Sequence, residues 1–313
     1  MGQNVIFLVI MIATLLGTMF RPISEWVTGN KISLNAPYFE RVNGPIFFAL
    51  ILLMGAAPLL AWRRSAPETL RRNFTIPIAA GLLTVPVLFV FGMRSPAGFI
   101  GIAALTFVFA GIIQEYVRGV RSRKRAAGEP TLTALVNLVR RNGHRYGGYI
   151  VHIGMLLIAL GIIGNEFFQS ESEANLKPGQ TVNVADYALT YRGLEPTRGP
   201  NFTEYTARLD IQRNGQPAGE IFPRKHIYDK NQEQPMTEVG LRPGPIEDVY
   251  VVLAGFEGNG ELASFKVYIN PLMSWMWVGE LFMVLGTLIA TWPRKSPATS
   301  EVRAPAPGSA QPA

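Results

Sequence analysis

Six long apolar stretches decide what this chain can become. Five of them, Met1–Phe20, Val42–Trp62, Asn73–Met93, Ser95–Gln114 and Tyr146–Asn165, contain no Asp, Glu, Lys or Arg. The sixth, Val267–Pro293, contains one charged residue, Glu280. About 20 such residues in a helix match the roughly 30 Å of bilayer hydrocarbon. A helix pairs every backbone N–H and C=O within itself, which hydrocarbon demands. The fold class expected is an α-helical integral membrane protein with six predicted transmembrane helices. The first stretch has a rival reading as a signal peptide. Its start, MGQN, carries no positive charge and no A-x-A site comes before Arg21, so it reads as a retained helix.

Six spans put both termini on one side. With the termini in the cytoplasm, the inner segments hold Arg63, Arg64, Arg71, Arg72, eight Arg/Lys between Arg118 and Arg145, and Arg294, Lys295 and Arg303. The outer loops hold only Arg21, Lys31, Arg41 and Arg94. The positive-inside rule selects this orientation. It makes the chain a multi-pass protein of the cytoplasmic (inner) membrane. The net charge of +7 hides an acidic segment, because Asn165–Asn270 holds 10 Lys/Arg against 15 Asp/Glu. Basic residues interleaved with apolar spans report topology, so no nucleic-acid partner is expected.

The acidic segment reads as β structure on the periplasmic or extracytoplasmic face. Tyr205, Ala207, Leu209 and Ile211 alternate with Glu204, Thr206, Arg208 and Asp210, the period of a half-buried strand. Asn214-Gly215 then signals a hairpin turn. Further strands are expected at Thr181–Val184, Ala188–Tyr191, Val249–Ala254 and Phe265–Ile269. The expected domains are a membrane domain at 1–164 with a basic cytoplasmic loop at 115–145, an all-β domain at 165–270 between the fifth and sixth spans, the sixth span at 271–293, and a disordered cytoplasmic tail at 294–313. Within the basic loop, Leu132, Leu135, Val136 and Val139 have helical spacing, with Pro130 ahead and Gly143 behind. That amphipathic helix lies either on an anionic membrane surface or against other spans.

Few residues can carry chemistry. The chain has no cysteine, which excludes disulfides, CxxC redox pairs and thiolate metal sites. No phosphate-binding glycine loop, nucleophile elbow or HExxH motif occurs. The histidines are His144, His152 and His226. His152, in GGYIVHIGMLLIALGIIG, sits about six residues, or roughly 9 Å, into its span. Ionisable groups there default to function. It is either a metal ligand or a histidine bonded to a neighbouring helix or headgroup. Gly154, Gly161 and Gly164 more often allow close helix packing. Glu280 is the one acid expected inside a span. It is either a proton or charge partner in the bundle, or it pairs with a polar group of a partner helix. His226, in IFPRKHIYDK, shows no neighbours of metal-ligand spacing and reads as a strand-edge residue, and His144 as a solvated loop residue. Trp275, Trp277 and Tyr268 read as an interfacial aromatic belt at the last span.

NGHRYGGYIVHIGMLLIALGIIG, KISLNAPYFERVNGPIFFALILLMGAAPLLAW, IFPRKHIYDKNQEQPMTEVGL, DVYVVLAGF and NPLMSWMWVGELFMVLG, taken together, resemble segments of the CcmF family, the heme lyase subunit of cytochrome c biogenesis. The resemblance covers most of 1–293 and corresponds to the C-terminal half of such proteins. It implies membership of an assembly that attaches heme to CxxCH motifs of apocytochrome c, whose thiols come from the substrate. It implies that His152 is an axial ligand, through its nitrogen to the heme iron, of a membrane-embedded heme b. The partners implied are an N-terminal CcmF-type half, a CcmH-type subunit, the heme chaperone CcmE, apocytochrome c and the lipid bilayer.

The departures are equally informative. The family's tryptophan-rich outer heme motif, its flanking histidines and the second membrane histidine have no counterpart here. The second ligand of the heme b is therefore expected from a missing N-terminal half or a partner chain. The chain is expected to be a split-gene half or a truncated frame, and inactive as a lyase by itself. The competing readings are a non-catalytic membrane scaffold that binds no heme, and a transporter.

Overall fold

The computed structural model describes residues 2–60, 67–90 and 92–293. Seven helices run as α1 (Gly2–Thr28), α2 (Ala36–Leu59), α3 (Pro67–Val90), α4 (Pro96–Ala127), α5 (Thr131–Arg141), α6 (Gly143–Phe168) and α7 (Ser274–Thr291). All but α5 are long and apolar enough to cross a membrane, six candidate spans among the described residues. Arg63, Arg64, the end of the expected second span and the tail expected after Pro293 lie outside the described residues.

Helix α4 is the hub of the helical region and touches α2, α3, α5 and α6. It starts where the Ser95 hydroxyl accepts the Gly98 N–H at 3.3 Å and stops at Gly128, whose φ of 64° is a left-handed cap. It thus outruns the expected span Ser95–Gln114, because the charged residues that end an apolar stretch are good helix formers. Its core residues Leu105, Val108 and Ile112 are buried. Gly55 of α2 and Gly81 of α3 lie so close to α4 that a Cβ would come within 2.6 Å of the Val108 side chain and 2.9 Å of the Ala103 carbonyl.

Helices α6 and α7 form an antiparallel pair closed on glycine. Gly147, Gly154 and Gly161 recur every seventh residue of α6, so they share one face, and Gly279 and Gly286 do the same on α7. A Cβ on Gly154 would lie 2.5 Å from the Gly279 carbonyl, and one on Gly286 2.6 Å from the Val151 nitrogen. Without water to expel, such backbone approach supplies the dispersion contact that joins helices in lipid. The packing role expected for Gly154, Gly161 and Gly164 is the one they fill.

Ten strands build two packed sheets. They are β1 (Ser170–Leu176), β2 (Thr181–Val184), β3 (Tyr187–Arg198), β4 (Phe202–Arg213), β5 (Gln216–Ile221), β6 (Arg224–Tyr228), β7 (Asn231–Glu238), β8 (Gly240–Arg242), β9 (Glu247–Glu257) and β10 (Leu262–Pro271). One sheet has the order β1-β10-β9-β8 and the other β2-β3-β4-β6-β7, with β5 beside β4. Alternate residues of β3, β4, β9 and β10 meet in one core that includes Leu189, Leu209, Val251 and Phe265. Asn214 and Gly215 both have positive φ, 49° and 77°, and close the β4–β5 hairpin as a two-residue turn whose twist suits the strands.

The sandwich is joined to the helix pair by direct continuation. β1 and β10 lie side by side, Ser170 opposite Ile269, and run on into α6 and α7. The apolar stretch Val267–Pro293 holds the end of β10, where a strand was expected at Phe265–Ile269, and then α7, which begins at Ser274 inside the expected span 271–293. Val267 and Ile269 are sandwich core. Leu272 makes the corner at φ 61°, donating its N–H to the Ile246 carbonyl at 2.7 Å. Gln169 donates to Asn270 at 2.7 Å, Ser274 to Asp248 at 2.9 Å and the Trp275 indole to the Pro245 carbonyl at 2.9 Å. Tyr268 sits on β10, six residues before α7, with its ring against Tyr250 at 5.9 Å between centroids.

Candidate functional site

His152 is half-buried on α6, nine residues from the helix start at Gly143 and so about 14 Å along its axis. The greater depth than expected follows from the helix beginning three residues earlier. Its ring makes no hydrogen bond among the described residues, and Nδ1 is sealed from solvent without a partner. A buried ring nitrogen left unbonded is costly in apolar surroundings. One turn earlier on the same helix face, Gly148 has nothing within 4 Å of where a Cβ would stand. An imidazole lacking a partner therefore borders open space with no side chain in it.

Beneath His152, toward the start of α6, a polar knot fixes the helix against α4. The Tyr116 hydroxyl donates to the Tyr146 carbonyl at 2.8 Å, and Arg145 Nε donates to the Tyr149 hydroxyl at 3.1 Å. Arg145 also pairs closely with Glu115, which Arg118 reaches at 3.3 Å. The Tyr149 ring stands 6.4 Å from the His152 ring, so the knot positions the histidine's neighbour on the preceding turn. Glu115 is a buried acid that the sequence reading missed by ending the span at Gln114. The signal for it was available in the uninterrupted helix-forming run that follows.

Glu280 is exposed on α7 and has no partner among the described residues. Its side follows from the glycine contacts. At about 100° per residue, His152 lies about 140–180° around α6 from the α7-facing glycines, and Glu280 about 100–120° around α7 from its α6-facing ones. Because the helices are antiparallel, these turns have opposite sense and bring both residues to one open side of the pair. Met155 and Ile162 are exposed on the same side of α6. Among the described residues Glu280 is exposed and has no ion-pair partner.

In the sandwich, the expectation that His226 lacks suitable neighbours is corrected. Strand pairing sets Glu204 opposite His226 and Arg224 opposite Glu238. His226 Nε2 is 2.9 Å from Glu204 and 3.7 Å from Glu238, and Phe202 stacks on its ring at 4.8 Å. The three potential ligand atoms lie within 4.8 Å of one another. Arg224 already stands 3.9 Å from both carboxylates, so the arrangement is an ion-pair network. Burial pushes the Glu204 carboxyl up, but hydrogen bonds from His226 and Thr206 and the Arg224 charge hold it below the usual carboxylate range. His144 is exposed, as expected, but it lies in the first turn of α6 and not in a loop. Trp275 and Trp277 are exposed at the outset of α7.

Residues 167–271 match the family described as CcmF C-terminal beta-sandwich. The cytochrome c-type biogenesis protein CycK of Rhizobium meliloti is 28% identical over 295 residues, covering 94% of this chain and 43% of that protein. CcmF of Pseudomonas fluorescens gives the same identity and coverage, 28%, 94% and 43%. NrfE of Haemophilus influenzae is 28% identical over 92% of this chain and 43% of its own length. Among solved structures, one described as cytochrome c heme lyase CcmF superposes with a TM-score of 0.73 at 24% identity, over 93% of this chain and 45% of that one. That likeness speaks for the fold. The chain spans less than half the length of the curated relatives it matches.

Proposed function

We propose, from the premise that this chain belongs to the CcmF family of cytochrome c-type biogenesis proteins and corresponds to their C-terminal part, that it is one part of a membrane heme lyase. The reaction is covalent attachment of heme to apocytochrome c, in which substrate cysteine thiols add across the heme vinyl groups. This chain holds no cysteine and takes no thiol role. Its own contribution is His152, one axial ligand of a heme b resident in the membrane. When bound, that group supplies one-electron redox chemistry. The observation that carries the reading is the His152 ring, half-buried, without a hydrogen bond and beside the open face at Gly148.

The other axial ligand comes from the remainder of the assembly. His144 is exposed at the start of α6, eight residues or about 12 Å along the axis from His152, and His226 lies in the sandwich, so neither stands beside His152. Glu280, on that same open side, meets a polar or cationic group of the partner. Basic loops place both termini and α5 in the cytoplasm, and the sandwich then stands on the extracytoplasmic side. There it meets the heme chaperone, a CcmH-type subunit or apocytochrome c. Tyr116, Tyr146 and Arg145 hold α6 to α4 and so orient the histidine.

The test is a reduced-minus-oxidised spectrum with a pyridine assay on the chain co-purified with the rest of its complex. His152→Ala removes the b-type signal while the complex stays intact. An unchanged signal with an intact complex overturns the ligand assignment and favours a heme-free scaffold.

A further inference from the structure

Helix α5 is flanked by two grooves with the same chemistry. One, of about 790 Å³, lies between α5 and the end of α7, floored by Val136, Val139, Leu285 and Ile289, with Trp292 and Arg140 at its edge. The other, of about 400 Å³, lies between α5 and α4, floored by Val117 and Val120, with Arg121 and Lys124 at its edge. Leu135 is the ridge between them and lines both. Ala134 and Leu138 are buried against the bundle, yet Leu132 and Val136 are 73% and 57% exposed. A short helix with apolar side chains on its outer face as well is unsuited to water, but suited to the edge of a bilayer.

Among the described residues the rim cations have no carboxylate partner, though Lys124 donates to the Thr131 hydroxyl at 2.9 Å. Arg118 and Arg145 pair with Glu115, and Arg123 with Glu129, at 2.7 Å for the last. Arg121, Lys124 and Arg140 have no carboxylate partner within ion-pair distance among the described residues. Apolar floors ending in unpaired cations fit an amphiphile with an anionic head. The side of the molecule argues against a helix of the partner as occupant. By the turn count that brings His152 and Glu280 together, Leu285 and Ile289 face the opposite side of the α6–α7 pair. The groove they floor stays toward lipid when a partner covers His152.

We propose that each groove binds an anionic phospholipid, in the larger with acyl chains along Val136 and Leu285 and phosphate at Arg140, and in the smaller with acyl chains along Val117 and Val120 and phosphate at Arg121 and Lys124. The site requires that the chain spans a membrane, and the choice of lipid over a partner helix rests on the reading that the partner covers the His152 side. It pins α5, and through α5 the start of α6, to the bilayer surface.

The experiment is native mass spectrometry of the whole chain, delipidated in detergent and titrated with phosphatidylglycerol, with phosphatidylcholine of the same chains, and with inorganic phosphate. Phosphatidylglycerol should be retained about tenfold more strongly than phosphatidylcholine, as expected for two or more cations at a headgroup. The double variant Arg121→Gln/Arg140→Gln removes that preference. Arg125→Gln, an exposed cation outside both grooves, keeps it. Val136→Trp fills the larger groove and weakens both lipids. Equal retention of the two lipids, loss of preference in Arg125→Gln, an undiminished preference in the double variant, or displacement of lipid by inorganic phosphate would overturn the proposal.

Discussion

Within the sandwich, Leu189, Tyr191, Leu209, Val251 and Phe265 are sealed, and the strands between carry polar residues outward. On α1, only Gly17 and Ser24 are buried, while Val5, Leu8, Met11 and Leu15 lie open. Both regions are regular secondary structure, but they differ in how far their side chains are buried. The sandwich holds a core of its own, as a domain in water must. The helices hold one another by glycine approach and leave their apolar surface for lipid or for a partner. One region is complete in itself, and the other is finished only by what surrounds it. The acidic and basic halves of the sequence follow the same line.

The sharpest way to break this contrast is Gly154→Leu. Its side chain would enter the Gly279 backbone, so α6 and α7 cannot close, and the folded chain recovered from membranes should fall by about tenfold or more. If instead Gly154→Leu leaves the recovered yield intact, glycine approach is not what joins the pair. Phe265→Ala comes next. It empties part of a sealed core and should cost the sandwich about 4 kcal/mol in denaturant unfolding, leaving helix content in the far-ultraviolet spectrum unchanged. Tyr191→Phe removes the hydroxyl that donates to the Gly260 carbonyl at 3.0 Å, and should cost about 1 kcal/mol by the same measurement. The smallest effect belongs to Glu204→Gln. The folded carboxyl lies below its usual value, so its stabilisation is present above that value and is lost as pH falls through the folded one. A pH titration of unfolding should show a slightly flatter acid limb in Glu204→Gln.

The contrast also explains what could be read from the sequence. Uncharged length exposes a membrane helix directly, so every span was legible, although its ends were not. The run that became α4 lost its last turns to Arg and Lys, and α7 begins only at Ser274, three residues inside the expected span 271–293. Strong alternation made β4 and β10 legible, and Thr181–Val184 is β2 to the residue. β5 (QPAGEI) and β7 (NQEQPMTE) lie toward the sheet edges and carry too few apolar residues to announce themselves. Of the site, His152 stood out because polarity is rare in a span. The open face around it could not be seen, because that depends on which side of α6 the glycines of α7 occupy. The grouping of Glu204, His226 and Glu238 depends likewise on strand register, which links residues far apart in the chain.

The central claim is that the open side bearing His152 is half of a heme site. Electron paramagnetic resonance of the oxidised heme tests it most directly, comparing this chain alone with the chain bound to the rest of its complex. A low-spin signal present only in the complex, and absent from its His152→Ala form, is the predicted result. A low-spin signal from this chain alone, or one that survives in the His152→Ala complex, would contradict the account.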